Sequence, residues 1–184
     1  EMTSSLVGSE MCIRDSVYPS ASDRSEHKTY EVDITRLTKV SVDFKELKLK
    51  DQYIHNFAVG DTVDTALQRL KVTGGTAQIT DSSGNVKSGD KIIGTGDMLR
   101  IHDSNGSLYM SKNIVIYGDV NGDGKIDMFD AAYLKKHVWI NPFLTGIKLE
   151  AANVYEKSEG IDIMDMAVIK KCMWYGGTIN QKRD

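Results

Sequence analysis

Residues 119–130, DVNGDGKIDMFD, place four aspartates in twelve positions. Carboxylates this crowded repel one another and cost folding energy unless a cation offsets them. Their spacing follows D-x-[DN]-x-[DN]-G, a loop pattern that surrounds Ca²⁺ with oxygen. Asp119, Asn121 and Asp123 fall at the first, third and fifth loop positions, and Gly124 at the sixth, where the chain must turn sharply. Lys125 would offer its backbone carbonyl, Asp127 would act through a water, and Asp130 would close the site with both carboxylate oxygens. Ile126 is apolar, as needed to pin the loop against a partner loop. Oxygen donors in this number suit Ca²⁺, whereas Mg²⁺ demands tighter octahedral geometry. The alternative is an Asp/Gly-rich surface turn, but every ligand position and the glycine are filled in register.

Part of this loop recurs. IDMFDAAYLKKH (126–137) matches IDIMDMAVIKKC (161–172) at an offset of 35 residues, with six of twelve positions identical. A fixed offset over such a core suggests two copies of one supersecondary unit.

The elements that would position these residues can be read on either side. KNIVIY, before Asp119, alternates like a strand rather than an entering helix. After the loop, a helix is expected from Met128 to about Trp139, stopped by Pro142, with Ala131, Leu134 and Val138 as its apolar seam. Upstream, from Tyr30 to Tyr117, YEVDI and VSVDF alternate as strands do. DTVDTALQRLKV is the one helical stretch there: Asp61 or Thr62 can cap it, and Val63, Ala66, Leu67 and Leu70 share a face. TAQIT, DSSGNV, SGDKIIGTGDMLRIHD, SNGS and LYMSKNIVIYG read as strands joined by glycine-bearing turns. The expected fold class is α+β, a small mostly-β module followed by an all-α unit of paired half EF-hands. His55 and His102 are isolated in sequence, and the bland reading of each is a solvated or strand-facing side chain.

A half-hand repeated after 35 residues resembles a dockerin domain of the type I kind. YGDVNGDGKIDMFDAAYLKKH, LEAAN and GIDIMDMAVIKKCM carry the resemblance, over residues 117–176. The upstream segment, 30–116, more faintly resembles the small β-rich X-like module that precedes dockerins in secreted Firmicutes proteins, on FAVGDTVDTALQRL, DSSGN and the direct run from IVIY into the loop. The resemblance implies export from a bacterial cell, to the medium or the cell surface. It also implies two calcium loops. Setting AAN on the family's AAD puts Asn153 first in the second loop, NVYEKSEGIDIMD, with Asp162 and Asp165 at its last two ligand positions. That loop is one residue too long, and Tyr155 and Lys157 stand where oxygen ligands belong. Ser158, Glu159 or backbone carbonyls could compensate in part. The expectation is one strong calcium site and a second, distorted one, which could instead hold its shape by packing Ile161 against Ile126.

Dockerins bind cohesin modules of scaffoldin or surface proteins. The resemblance assigns partner contacts to Met128, Phe129, Lys135, Lys136 and Ile140 in the first copy, and to Ile163, Met164, Lys170, Lys171 and Tyr175 in the second. Met128, Phe129, Lys135 and Lys136, and their counterparts Ile163, Met164, Lys170 and Lys171, lie off the apolar seam and should be exposed together, apolar anchors rimmed by charge; the alternative is that Phe129 or Met164 packs inside. Tyr117 is expected to stack on Trp174 or Tyr175 and tie the ends of the domain.

Composition narrows the rest. A net charge of −3 argues against nucleic acid as partner, and no apolar run approaches a membrane span. Two cysteines, Cys12 and Cys172, make no disulfide or zinc framework. A monomer is expected. No nucleophile–base pair or zinc motif is present, so catalysis would belong to a parent protein, a hydrolase of polysaccharide or glycan. A calcium-stabilised surface-protein tail with no cohesin partner is the competing reading. Residues 1–16 contain EMCIRDS, which reads as the translation of a sequencing adapter rather than protein; a natural disordered arm is the alternative. Residues 17–29 read as linker and 177–184 as a tail.

Overall fold

A computed structural model describes residues 39–157 and 160–183 of the chain. The adapter-like stretch, the linker, the YEVDI segment, Ser158 and Glu159 lie outside the described residues. Strands come first and helices after, so the described residues are α+β.

Alternating apolar residues and tight polar turns build the strand region. Six strands form one sheet in the order β2 (Lys48–Lys50), β3 (Tyr53–His55), β8 (Leu108–Ile114), β7 (Met98–Asp103), β5 (Gly75–Thr80), β6 (Val86–Lys87). Only the β3–β8 pairing is parallel. β1 (Ser41–Asp43) and β4 (Lys71–Thr73) make a separate two-stranded ribbon. The turns after β5 and β7 use one device. Asp81 Oδ1 accepts from the Ser83 and Asn85 amides, and Asp103 Oδ1 from those of Asn105 and Ser107. Gly84 and Gly106 then take the positive φ each turn requires. Helix α1 (Val63–Gln68) starts at Thr62 with a reciprocal capping box to Thr65 and buries Val63 and Ala66.

The helical region has three elements. α2 (Met128–Trp139) begins and ends as the sequence predicts, and α4 (Ile163–Tyr175) is its repeat. α3 (Gly146–Ala152), between them, is not anticipated by the pattern. α2 packs on α4. Ala131, Leu134, Ala151, Ala152, Met166 and Ile169 form the centre of their shared core. Replacing fully buried Leu134 by Ala should cost about 2–5 kcal/mol.

Four residues join the two regions. Ile114 and Ile116 are buried in the core under the sheet, while Val115 and Tyr117 are buried in the helical core. An extended backbone sends successive side chains to opposite faces, so one short run serves both cores. IVIY is therefore a shared structural member, and residues 39–183 lie within a single compact unit.

The end of the chain is also built in. Ile179 is buried in the helical core. Gln181 brackets Tyr117, its Oε1 accepting from the Tyr117 amide and its Nε2 donating to the Tyr117 carbonyl, both at 2.8 Å. The Arg183 guanidinium lies 4.0 Å from the centre of the Tyr117 ring. The expected stack of Tyr117 on Trp174 or Tyr175 does not form: both are exposed, whereas Tyr117 is 1% exposed. The helix carrying the two aromatics ends at Gly176 in the left-handed conformation, and it is the polar tail beyond that returns to Tyr117.

Candidate metal centre and docking face

The first loop is organised by Asp119. Its Oδ1 accepts from the amides of Gly122 and Asp123, at 2.8 and 3.1 Å. Its Oδ2 accepts from Gly124 at 3.0 Å and from Thr95 of the strand region at 2.8 Å. Asn121 Oδ1 accepts from the Asp123 amide, and Asp123 Oδ1 from the Lys125 amide. Asp127 caps α2 through the Phe129 amide. Asp130 closes back on the loop, accepting from the amides of Val120, Asn121 and Asp127.

The surroundings of the loop come from the strand region. Gly60 donates its amide to the Gly124 carbonyl at 3.0 Å. A β-carbon on Gly94 would collide with the Gly122 carbonyl, one on Gly122 with the Thr95 carbonyl, and one on Gly124 with the Ile93 carbonyl. Backbone meets backbone there, which only glycine permits. Thr95 Oγ1 also bonds both the amide and the carbonyl of Ile116.

Asp119 and Asp130 are both fully buried. Burial pushes the Asp119 carboxyl up to about 6, and the neighbouring Asp130 charge adds to the rise. Asp130 is also raised, again chiefly by burial, with Asp123 contributing. Neither has a lysine or arginine ion-pair partner among the described residues. Buried, mutually repelling carboxylates without a counter-charge are the donor chemistry a hard divalent cation satisfies. The side chains themselves are engaged with backbone amides, and among the described residues no three acidic, histidine or cysteine side chains converge as a metal cluster.

The second loop repeats the frame of the first. Asp162 caps α4 through the Met164 amide, as Asp127 caps α2. Asp165 accepts from Val154, Tyr155 and Asp162, as Asp130 accepts from Val120, Asn121 and Asp127. The two cap residues share backbone angles within a few degrees, φ −141° and −139°, ψ −168° for both. These four aspartates thus have a structural duty, the capping box, besides any role toward metal. What differs is the head of the loop. Asn153 Oδ1 is buried without a hydrogen-bond partner among the described residues, an acceptor free for a cation. Its backbone carbonyl accepts from Arg183 Nη1 at 2.6 Å, and Arg183 Nε lies 3.7 Å from Glu156. A guanidinium therefore already serves this loop. Ile126 and Ile161 both pack against the helical core.

The residues assigned to partner contact are on the surface. Met128, Phe129, Ile140, Ile163, Met164 and Tyr175 are exposed, as are Lys135, Lys136 and Lys171; Lys170 is partly covered. Phe129, which could have packed inward, is 59% exposed. Neither Trp139 nor Trp174 is assigned to partner contact from the sequence, where the first reads as a helix end and the second as a stacking candidate for Tyr117. Both are exposed and occupy equivalent places in the two copies, a match visible once the alignment is carried two residues past His137 and Cys172. His55 is buried on β3 rather than solvated; its Nδ1 lies 3.3 Å from the Gln181 carbonyl, and burial lowers its pKa.

No curated protein and no solved structure matches the chain. Residues 117–173 match the family model of the dockerin type I domain. That span opens on Tyr117 and its calcium-type loop, includes both capped helices, and ends near the close of α4. Dockerin domains bind Ca²⁺ through EF-hand-like repeats and dock proteins onto one another, typically onto cohesins, without catalysing a reaction. The loop and the repeat agree with that match, and the segment from Tyr117 to Met173 is consistent with a type I dockerin domain.

Proposed function

We propose that the chain docks a secreted parent protein onto a cohesin module of a scaffoldin or cell-surface protein, and that calcium in the first loop holds the docking helices in place. The observation that carries this reading is the pair of identically capped helices, α2 and α4, packed together with apolar and cationic side chains left outward. Asp119, Asn121, Asp123, Asp127, Asp130 and the Lys125 carbonyl would hold the ion. When bound, it neutralises the repulsion between the buried carboxylates and fixes the start of α2. The second loop, with Asn153, Asp162 and Asp165, holds a weaker ion or none, because Arg183 supplies positive charge beside it. Residues 39–116 act as a stabilising X-like platform for the first loop, to which Thr95 and Gly60 are bonded. The parent's catalytic activity, on polysaccharide or glycan, lies elsewhere in that protein.

Retention on a panel of immobilised cohesins, with calcium and with chelator, tests the reading. Retention by at least one cohesin that is lost on chelation is expected. No retention by any cohesin favours a calcium-stabilised tail instead, and retention that survives chelation contradicts the calcium requirement.

A further inference from the structure

Carried from residue 126 to 140 and from 161 to 175, the repeat keeps seven identities: the isoleucine, two aspartates, an alanine, two lysines and a tryptophan. Their distribution is unusual for a packed helix pair. The buried apolar positions differ between copies, Ala131 against Met166 and Leu134 against Ile169. The partly buried pair Val138 and Met173 differs as well. Yet the tryptophans, at 54% and 68% exposure, are the same. So are Lys135 and Lys170, and Lys136 and Lys171. Core packing accounts for the kept Ile126 and Ile161, and helix capping for the kept aspartates, but packing leaves surfaces free and does not account for the exposed tryptophan and lysine pairs.

The geometry repeats with the residues. Lys135 Nζ lies 5.7 Å from the Trp139 ring centre, and Lys170 Nζ lies 6.0 Å from that of Trp174. One helical turn separates lysine from tryptophan in each case, so the ammonium sits over the indole face. Beside each tryptophan is another exposed apolar side chain, Ile140 or Tyr175. None of the four lysines has a carboxylate partner within ion-pair reach among the described residues. Each copy thus presents a large indole next to uncompensated positive charge. The complementary surface is an apolar pocket flanked by carboxylates.

We infer that Trp139 and Trp174 are equivalent anchor residues of the docking face, each seating in an acid-rimmed apolar pocket of the cohesin partner. This rests on the docking reading above and adds to it the residues that carry affinity and the charge of the surface they meet. Tryptophan supplies more contact area per rotatable bond than any other side chain and dominates binding hot spots. The lysines orient the indole and steer an acidic partner.

The test compares the full chain with its Trp139→Ala/Trp174→Ala double variant, by calorimetry against a cohesin that the wild type retains, in excess calcium. A loss of affinity of about thirtyfold or more is expected, with most of it restored by Phe at both positions. Circular dichroism in calcium should match the wild type, since both side chains are exposed. Should the double alanine variant lose helix, Lys135→Glu/Lys170→Glu takes its place, with the same expected loss and a weakened dependence of affinity on salt. Affinity within threefold of wild type in a folded variant overturns the inference while leaving the docking reading intact. A wild-type chain that binds no cohesin overturns both.

Discussion

The amide of Thr95 donates to Oδ2 of Asp119 across 2.8 Å, joining the loop between β6 and β7 to the first ligand position of the calcium-type loop. The same threonine's hydroxyl is bonded to the backbone of Ile116. A residue of the strand region therefore helps to set the carboxylate on which the dockerin loop is centred. Two modules strung on a linker would show no such bond.

Gly94→Ala should weaken calcium binding from outside the loop. Its new methyl would strike the Gly122 carbonyl, which is backbone and cannot swing aside. Relieving that clash moves the loop, at a cost of about 1–3 kcal/mol. Gly106→Ala is the control: it carries the strain of a positive φ, which Gly94 does not have, but nothing lies within 4 Å of the added atom. Calcium calorimetry should show weaker binding for the first variant and unchanged binding for the second. Equal affinities would mean that the strand region only abuts the loop.

Removing calcium should be felt on both sides of IVIY. Dockerin helices could melt alone if the junction were a linker, but Ile114 and Ile116 belong to one core and Val115 and Tyr117 to the other. Hydrogen exchange of the Asp119→Ala variant should reveal lost protection at residues 92–96 as well as in α2. Unchanged protection at 92–96 would show that the cores unfold independently.

The acid dependence of the metal-free chain follows from Asp119. Its carboxyl is raised to about 6, from an ordinary 3.8, mainly by burial. Between those values the folded state holds a proton that the unfolded chain has released. Stability without metal therefore falls as pH rises from about 4 to about 6. Calcium binds the ionised form, so its affinity falls as pH drops through the same window. Thermal melts in chelator at about pH 4.5 and pH 7 should show this slope, and Asp119→Asn should flatten it. An identical slope in the variant would assign the effect to other groups.

The C-terminal clasp should be worth more than a tail. Arg183→Ala removes the cation over Tyr117 and the bond to the Asn153 carbonyl, and should lower stability by about 1–3 kcal/mol. Gln181→Ala should do the same through Tyr117. Chemical denaturation measures both, and loss within experimental error in each would reduce the clasp to a surface contact.

The sequence made some of this architecture plain and hid the rest, for physical reasons. The extent of α2 was legible because Asp127 caps it, its seam has helical period and Pro142 follows it. The turns at 81–85 and 103–107 were legible because aspartate and glycine stand where the turn needs them. Helix α3 was not: it spans seven residues and its cap residue, Thr145, makes no side-chain bond. The seat of the first loop on the strand region rests on glycine backbones, which leave no hydrophobic pattern to read. For the clasp, the resemblance to dockerins points to stacked aromatics, whereas the partners of Tyr117 are a glutamine and an arginine in a polar tail.

Calorimetric titration of calcium into the metal-free full chain tests the central claim most directly. The account predicts saturable uptake of at least one ion, accompanied by a gain of helix and abolished by Asp119→Ala. A chain that takes up no calcium, or that takes it up equally after Asp119→Ala, would contradict it.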